Sequence, residues 1–260
     1  MTESQQNTWG NATGVPEPPW RQTGKAAGRT PLTRDAIVDA ALHVLDEVGM
    51  DGLSMRRVAQ ELGTGAASLY WHVRNKEQLL QLIFERVTQQ TELPEPDPSR
   101  WQEQLRELAH RMRAIMHSHR DVARISLGRI PTGPVLALYS EWLFTLLKPL
   151  GIPDQVIAYL GDFFGLYVGA YAFEESLGTE AFTGGDMSPE QFFGMLRDYL
   201  LSLPADRFPY VRSAVDALFS GGPDERYAFG VELILRGLST YAAKPAVTDA
   251  ADEAGPRDTG

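Results

Sequence analysis

The chain has 260 residues, of which 43% are apolar and 10% aromatic, enough to bury a sizeable core and to fill about two domains. There is no cysteine, which excludes disulfides, thiolate metal sites and a cysteine nucleophile. The formal net charge is −10, the opposite of what a nucleoid-packaging protein needs. No apolar run approaches the roughly 18 residues that a membrane span needs, and the first residues lack the pattern of a secretion signal. A cytoplasmic protein outside the membrane is therefore expected.

The charge is unevenly placed. It is −2 over residues 1–20, +1 over residues 21–90 and −9 over residues 91–260. Residues 1–30 are rich in Gly, Pro, Gln, Asn and Thr and read as a disordered arm. Arg21, Lys25 and Arg29 close that arm; they either follow a DNA minor groove or belong to a solvated tail. Thr33 to Val48 reads as the first helix, with Ile37, Ala41, Val44 and Val48 inward and Gly49 ending it.

The stretch from Leu53 to Leu80 carries the most information. Ser54 is an N-cap, Leu53 and Val58 sit at staple positions, and Met55, Val58, Ala59 and Leu62 share one face. Gly63 falls where a left-handed residue ends a helix. A second short helix is predicted over Ala66 to Trp71. Two short helices around a glycine turn form the layout that lays its second helix into the DNA major groove. Tyr70, Trp71 and His72 then follow in a row. Consecutive helical residues point about 100° apart, so at least one of these rings must face away from the core. Asn75 caps a further helix, Lys76 to about Gln90, with Gln78 as its capping-box partner.

The runs GLSMRRVAQELG (Gly52 to Gly63) and LYWHVRNKEQLL (Leu69 to Leu80) resemble the tetracycline-repressor (TetR) family of bacterial transcription regulators. The resemblance implies that Arg56, Ala66, Ala67, Ser68, Tyr70, Trp71, His72 and Lys76 occupy the family's DNA-contact positions. Where tetracycline repressors begin the recognition helix with Gln then Pro, this chain has Ala66-Ala67. Alanine can touch a thymine methyl but cannot read a base edge by hydrogen bonds, so the operator should differ. The alternative is a buried helical hairpin with no role on DNA.

Pro94 to Ser99, PEPDPS, is too proline-rich for a helix and marks the expected boundary. The expected division is a helix-turn-helix domain over residues 31–92, a ligand-binding and dimerisation domain over 99–243 and a disordered tail over 244–260. Helices are expected over Trp101–His117, Asp121–Ser126, Pro134–Leu150, Pro153–Leu177, Pro189–Leu203, Arg207–Phe219 and Pro223–Ala242, with a loop between Gly178 and Ser188. No strand pattern competes, so the fold class is all-α.

Residues 154–177 and 224–242 are too apolar for surface helices of a monomer. Gly161, Gly165 and Gly169, with Gly230 and Gly237, would let another helix approach, and both segments read as a homodimer interface. SLGRIPTGP (Ser126 to Pro134), FGLYVGAYAFEE (Phe164 to Glu175) and FGVELILRGL (Phe229 to Leu238) resemble the same family's C-terminal domain, which implies dimerisation as well.

For an effector, His110, Arg113, His117 and Arg120 form a polar stripe on one helix face, and Trp142, Phe163, Phe164, Tyr167 and Tyr171 supply aromatic walls. The stripe also reads as an exposed basic face or a packed histidine, and Glu174 as a solvated glutamate or a partner for a cation. No metal or other cofactor is expected. His110 and His117 are seven apart with no completing carboxylate, and Ser126 stands where the founding members of the family place a magnesium-linked histidine. No nucleophile–base set or phosphate loop is present, so no enzyme activity is expected. The function expected is a repressor released from a palindromic operator by a small molecule, an aromatic one by the walls above; the alternative is a DNA-binding regulator controlled by a protein partner.

Overall fold

The computed structural model describes residues 32–129, 132–178 and 187–242. The basic arm at Arg21, Lys25 and Arg29 and the tail over 244–260 lie outside them. Among the described residues there are α-helices, two short 3₁₀ turns and no strand.

The N-terminal unit is built from α1 (Arg34–Gly52), α2 (Met55–Glu61), α3 (Ala66–Leu69) and α4 (Lys76–Thr88). Thr33 caps α1 by accepting from the Ala36 amide at 3.1 Å. Gly49 breaks the helical path, as its φ of 71° shows, but a further turn runs on to Gly52 before the chain leaves. Ser54 caps α2, and Leu53 and Val58 are both buried, as a staple requires. Asn75 caps α4 by accepting from the Gln78 amide at 2.8 Å. The Gln78 side chain accepts from the Arg74 amide at 2.6 Å rather than from Asn75, so the expected capping box is displaced by one residue.

The larger unit contains α5 (Trp101–His117), α6 (Val122–Ser126), α7 (Pro134–Leu147), α8 (Asp154–Leu177), α9 (Pro189–Ser202), α10 (Pro209–Ser213), α11 (Val215–Phe219) and α12 (Pro223–Ser239). The segment expected as one helix over Arg207–Phe219 is split at Ala214 into α10 and α11. Helices α5, α7, α8 and α12 share one core, in which Trp142, Tyr227, Val168 and Val231 are fully buried. Helices α9 to α11 pack chiefly on one another, and α9 has no buried residue.

The core of the N-terminal unit does not stop at the unit's end. It takes in Met116 of α5, Val122, Ala123 and Ile125 of α6 and Ala172 of α8. Polar contacts tighten the same seam. The Asp121 carboxylate accepts from the Met50 amide at 2.7 Å, with Asp121 itself in the left-handed region at φ 59°. Asp46 accepts from the Arg120 amide at 2.9 Å and pairs with His119 at 2.8 Å. Arg124 forks onto Asp51 at 3.0 and 3.1 Å. The short α6 is thus fixed to the C-terminal end of α1.

Two expectations about α8 are corrected. By length and composition α8 is apolar enough to cross a bilayer, with a mean hydropathy of 1.4 over 18 residues. Asp162 interrupts the apolar stretch, so no unbroken run of that length shows in the sequence. The glycines also do other work than expected. A Cβ on Gly161 would lie 3.3 Å from the Leu143 side chain of α7, and one on Gly169 would lie 2.8 Å from the Ser126 hydroxyl of α6. A Cβ on Gly230 would lie 2.1 Å from the Tyr167 hydroxyl. These three let the chain's own helices meet, whereas Gly165 and Gly237 face open space.

Candidate DNA interface and effector cavity

The recognition segment is held at two points. Leu69 and Val73 are fully buried, four residues apart, and the Val73 amide closes onto the Leu69 carbonyl at 2.8 Å. Anchoring both ends inward forces the residues between them outward. Tyr70 is 52% exposed and Trp71 71% exposed, while His72 is half-buried. Helix α3 is a single turn, shorter than expected, and the three rings belong to the turn that follows it. Ala66 and Ser68 are half-buried, Ala67 is exposed, and Arg56, Arg57 and Arg74 are exposed around them. Large polar-tipped rings beside arginines form a surface suited to a sugar-phosphate backbone. Lys76 is placed differently from the others: its ammonium donates to the Met50 carbonyl at 2.8 Å, at the end of α1. That contact satisfies a helix-terminal carbonyl and places a positive charge at the negative end of the helix dipole.

A cavity of about 280 Å³ lies between α4, α5, α6, α7 and α8, near the lower end of the range for small-molecule pockets. Phe84 and Thr88 of α4, Leu108, Met112 and Met116 of α5, Ser126 and Leu127 of α6, Val135, Tyr139, Ser140 and Leu143 of α7 and Phe164 of α8 line it, with Arg129 and Asp162 as its charged members. Burial pushes the Tyr139 hydroxyl up to about 12, against a smaller lowering by the Thr91 side chain, so at neutral pH it is a neutral donor. It donates to the Thr88 carbonyl at 3.3 Å.

Of the residues expected to bind the effector, Phe164 lines this cavity and the others lie elsewhere. Trp142 is fully buried, and its indole N–H donates to the Pro94 carbonyl at 2.6 Å, pinning the proline-rich connection instead of walling the cavity. Phe163 is 56% exposed on the outer side of α8, one residue from the inward Phe164. The Tyr167 and Tyr171 hydroxyls donate to the Tyr227 and Pro223 carbonyls, each at 2.8 Å, and so tie α8 to α12. On α5 the cavity takes Leu108, Met112 and Met116, whereas His110, Arg113 and His117 point to another side.

That other side is a separate open depression lined by His110, Arg113, Ala114, His117 and Glu175. Glu175, not the exposed Glu174, is the acid that matters there. It accepts from Arg113 Nε at 2.8 Å and pairs with His117 at 3.0 Å, and Arg113 also reaches Asp224 at 2.7 Å. The guanidinium lies 4.7 Å from the Tyr227 ring centroid, and His110 meets the same ring edge-on at 5.5 Å. Burial opposes the charge of Glu175, but the hydrogen bonds from Arg113 and His117 outweigh it and hold the carboxyl below its ordinary range. The stripe is a satisfied ion-pair network packed on tyrosines. The cavity residues other than Phe164 were missed because Leu, Met and Phe at helical spacing look like any core; only the space left between five helices marks them. Among the described residues no group of three or more His, Cys, Asp or Glu could hold a metal ion.

Comparisons with known proteins agree with this layout. The family model described as bacterial regulatory proteins of the tetR family matches residues 37–83, and the one described as the tetracyclin repressor-like C-terminal domain matches residues 93–242. The chain is 33% identical over 232 residues to the HTH-type transcriptional repressor DrrR1 of Streptomyces coeruleorubidus, covering 85% of this chain and 84% of the relative. It is 30% identical to the class A tetracycline repressor of transposon 1721 from Escherichia coli, over 81% of this chain and 92% of that one. The crystal structure of the TetR family protein ActR of Streptomyces coelicolor in complex with actinorhodin superposes with a TM-score of 0.73 at 42% identity, over 84% of this chain and all of that one. With a surface-held pair of rings beside a helix-turn-helix, a cavity floored by the helix that follows, and both family models matched in order, the chain belongs to the TetR family and is a ligand-responsive DNA-binding transcriptional repressor, not an enzyme.

Proposed function

We propose that this repressor acts as a cytoplasmic homodimer on a palindromic operator and is released by a flat aromatic effector that enters the cavity between α4 and α8. One observation carries the reading: α4 begins at the recognition turn and also lines the cavity with Phe84 and Thr88. In this reading residues 31–92 form the DNA-binding unit and residues 99–243 the effector and dimer unit. Arg56, Ala66, Ala67, Ser68, Tyr70, Trp71 and His72 meet DNA, while Lys76 holds α4 against the end of α1.

The effector class follows from Phe84, Tyr139 and Phe164, with Met112 and Met116 as pliable filler. The similarity to ActR, solved with actinorhodin, supports it. Dimerisation is supported by the apolar side chains α8 and α12 leave in solvent: Tyr159 at 68%, Phe163 at 56%, Leu166 at 57%, Phe229 at 65% and Leu233 at 55% exposed. Two recognition segments about 34 Å apart then meet successive major-groove faces. An effector shifts the equilibrium only by its differential affinity for the two forms; coupling of about 1–3 kcal/mol is typical and about 5.5 kcal/mol gives a near-complete switch.

The test is fluorescence anisotropy on an operator selected from random palindromes. Trp71→Ala and Tyr70→Ala are expected to weaken binding at least about tenfold, the loss of one or two good backbone contacts, with helicity unchanged. Light scattering is expected to give twice the 28.8 kDa chain mass. Full operator affinity in both variants, or a monomeric mass, overturns the reading.

A further inference from the structure

We infer that Arg129 recognises an anionic group on the effector, and that this recognition competes with the contact tying α6 to the start of α4. The inference rests on the reading of the cavity as the effector site.

Among the described residues lining the cavity, two are charged, Arg129 and Asp162. Asp162 is well exposed, at the solvent side of α8, whereas the Arg129 side chain is only 16% exposed. A cation held that deep beside Phe84, Leu127 and Leu136 needs partners, because desolvation opposes its charge. It has two. One terminal nitrogen donates to the Ile125 carbonyl at 3.2 Å, in the last turn of α6. The other donates to the carboxylate of Glu77, the second residue of α4.

The two partners differ in strength of hold. Ile125 is fully buried. The Glu77 side chain is 75% exposed, so water competes for its carboxylate and salt screens it. A guanidinium has five N–H donors in a planar fork, and these bonds use two. A carboxylate entering from the cavity would meet the fork away from water, where charge-assisted bidentate pairing is strongest. Such a ligand outcompetes Glu77 more readily than it displaces Ile125.

The consequence lies on α4. Glu77 stands two residues after Asn75, the N-cap, and four after Val73, the inner anchor of the recognition turn. Drawing the guanidinium toward the cavity removes the tether at the end of α4 nearest DNA. A ligand that breaks this contact binds better to the form in which it is already broken, which is the sign an inducer requires.

The experiment is isothermal titration calorimetry on the full chain at pH 7.5, with anthraquinone-2-carboxylate and its methyl ester as probes. Wild type is expected to bind the acid at least about tenfold more tightly than the ester. Arg129→Met should erase the preference by weakening the acid alone, and Arg129→Lys should keep part of it, since a point charge remains without the fork. Glu77→Gln, on the surface, should tighten the acid about threefold and leave the ester unchanged. Equal binding of both probes by wild type overturns the inference while leaving the cavity reading intact, as does an equal loss for both in Arg129→Met. Absence of binding by either probe overturns the cavity reading and the Arg129 assignment with it.

Discussion

Replacing Gly230 by alanine places a methyl 2.1 Å from the Tyr167 hydroxyl oxygen and 2.6 and 2.9 Å from two ring carbons. The α12 backbone cannot yield, because Tyr227 and Val231 on either side are fully buried, so Tyr167 must leave. Its departure breaks the hydrogen bond to the Tyr227 carbonyl at 2.8 Å, about 1 kcal/mol net. It also breaks the stack on Tyr227, whose centroid lies 5.5 Å away at 16°, about another 1 kcal/mol. Alanine in a helix interior returns about 1 kcal/mol over glycine. The expected outcome is a net destabilisation of about 1 kcal/mol. Gly194→Ala in α9, where nothing lies within 4 Å, should instead stabilise by up to about 1 kcal/mol. Urea denaturation at one protein concentration measures both, since a dimer's stability depends on concentration. In the background of Tyr167→Ala, the Gly230 substitution should become stabilising, as a double-mutant cycle requires of residues in contact. Gly230→Ala matching Gly194→Ala in the wild-type background would refute the claim that Gly230 exists for Tyr167.

Other substitutions probe the seam and the network. Lys76→Met should cost about 1.5–3 kcal/mol of stability, the range for a hydrogen bond from a charged donor, while moving operator affinity less than Trp71→Ala does; the reverse pattern in paired denaturation and anisotropy would return Lys76 to the DNA face. Asp121→Ala removes the acceptor of the Met50 amide and leaves alanine at φ 59°, an expected loss of about 2–4 kcal/mol, of which Asp121→Gly should recover the backbone part. For Glu175 the folded carboxyl titrates below its ordinary value of 4.5. A depressed carboxyl adds stability above the unfolded value and loses it as pH falls through the folded one. Glu175→Gln should therefore be less stable than wild type by about 1–3 kcal/mol at pH 7 and converge with it as pH falls through the depressed folded value; parallel stability curves from neutral to acid pH would show that the ion pair contributes nothing.

Much of the molecule was legible along the chain because its signals are local. An N-cap at Thr33, Ser54 or Asn75 is a contact over three residues, and each is made as read. A left-handed turn at Gly63 depends on one backbone angle, and its φ is +62°. The outward rings follow from 100° steps between buried Leu69 and Val73. The all-α class and the helix-turn-helix needed only periodicity and those caps.

What the tertiary structure alone decided is the side each residue meets. Phe163 and Phe164 are equally aromatic, yet one faces solvent and the other the cavity. The glycines of α8 announce a close approach without naming the partner, and that partner proved to be α6 and α7 of the same chain at Gly169 and Gly161. Trp142 gives its indole N–H to a proline carbonyl 48 residues away, a match no spacing encodes. A cavity is space left over by five helices, and its walls are ordinary core residues until all five are in place. Composition and period are properties of a segment; empty volume, and the choice of which oxygen accepts a buried proton, belong to the packed whole.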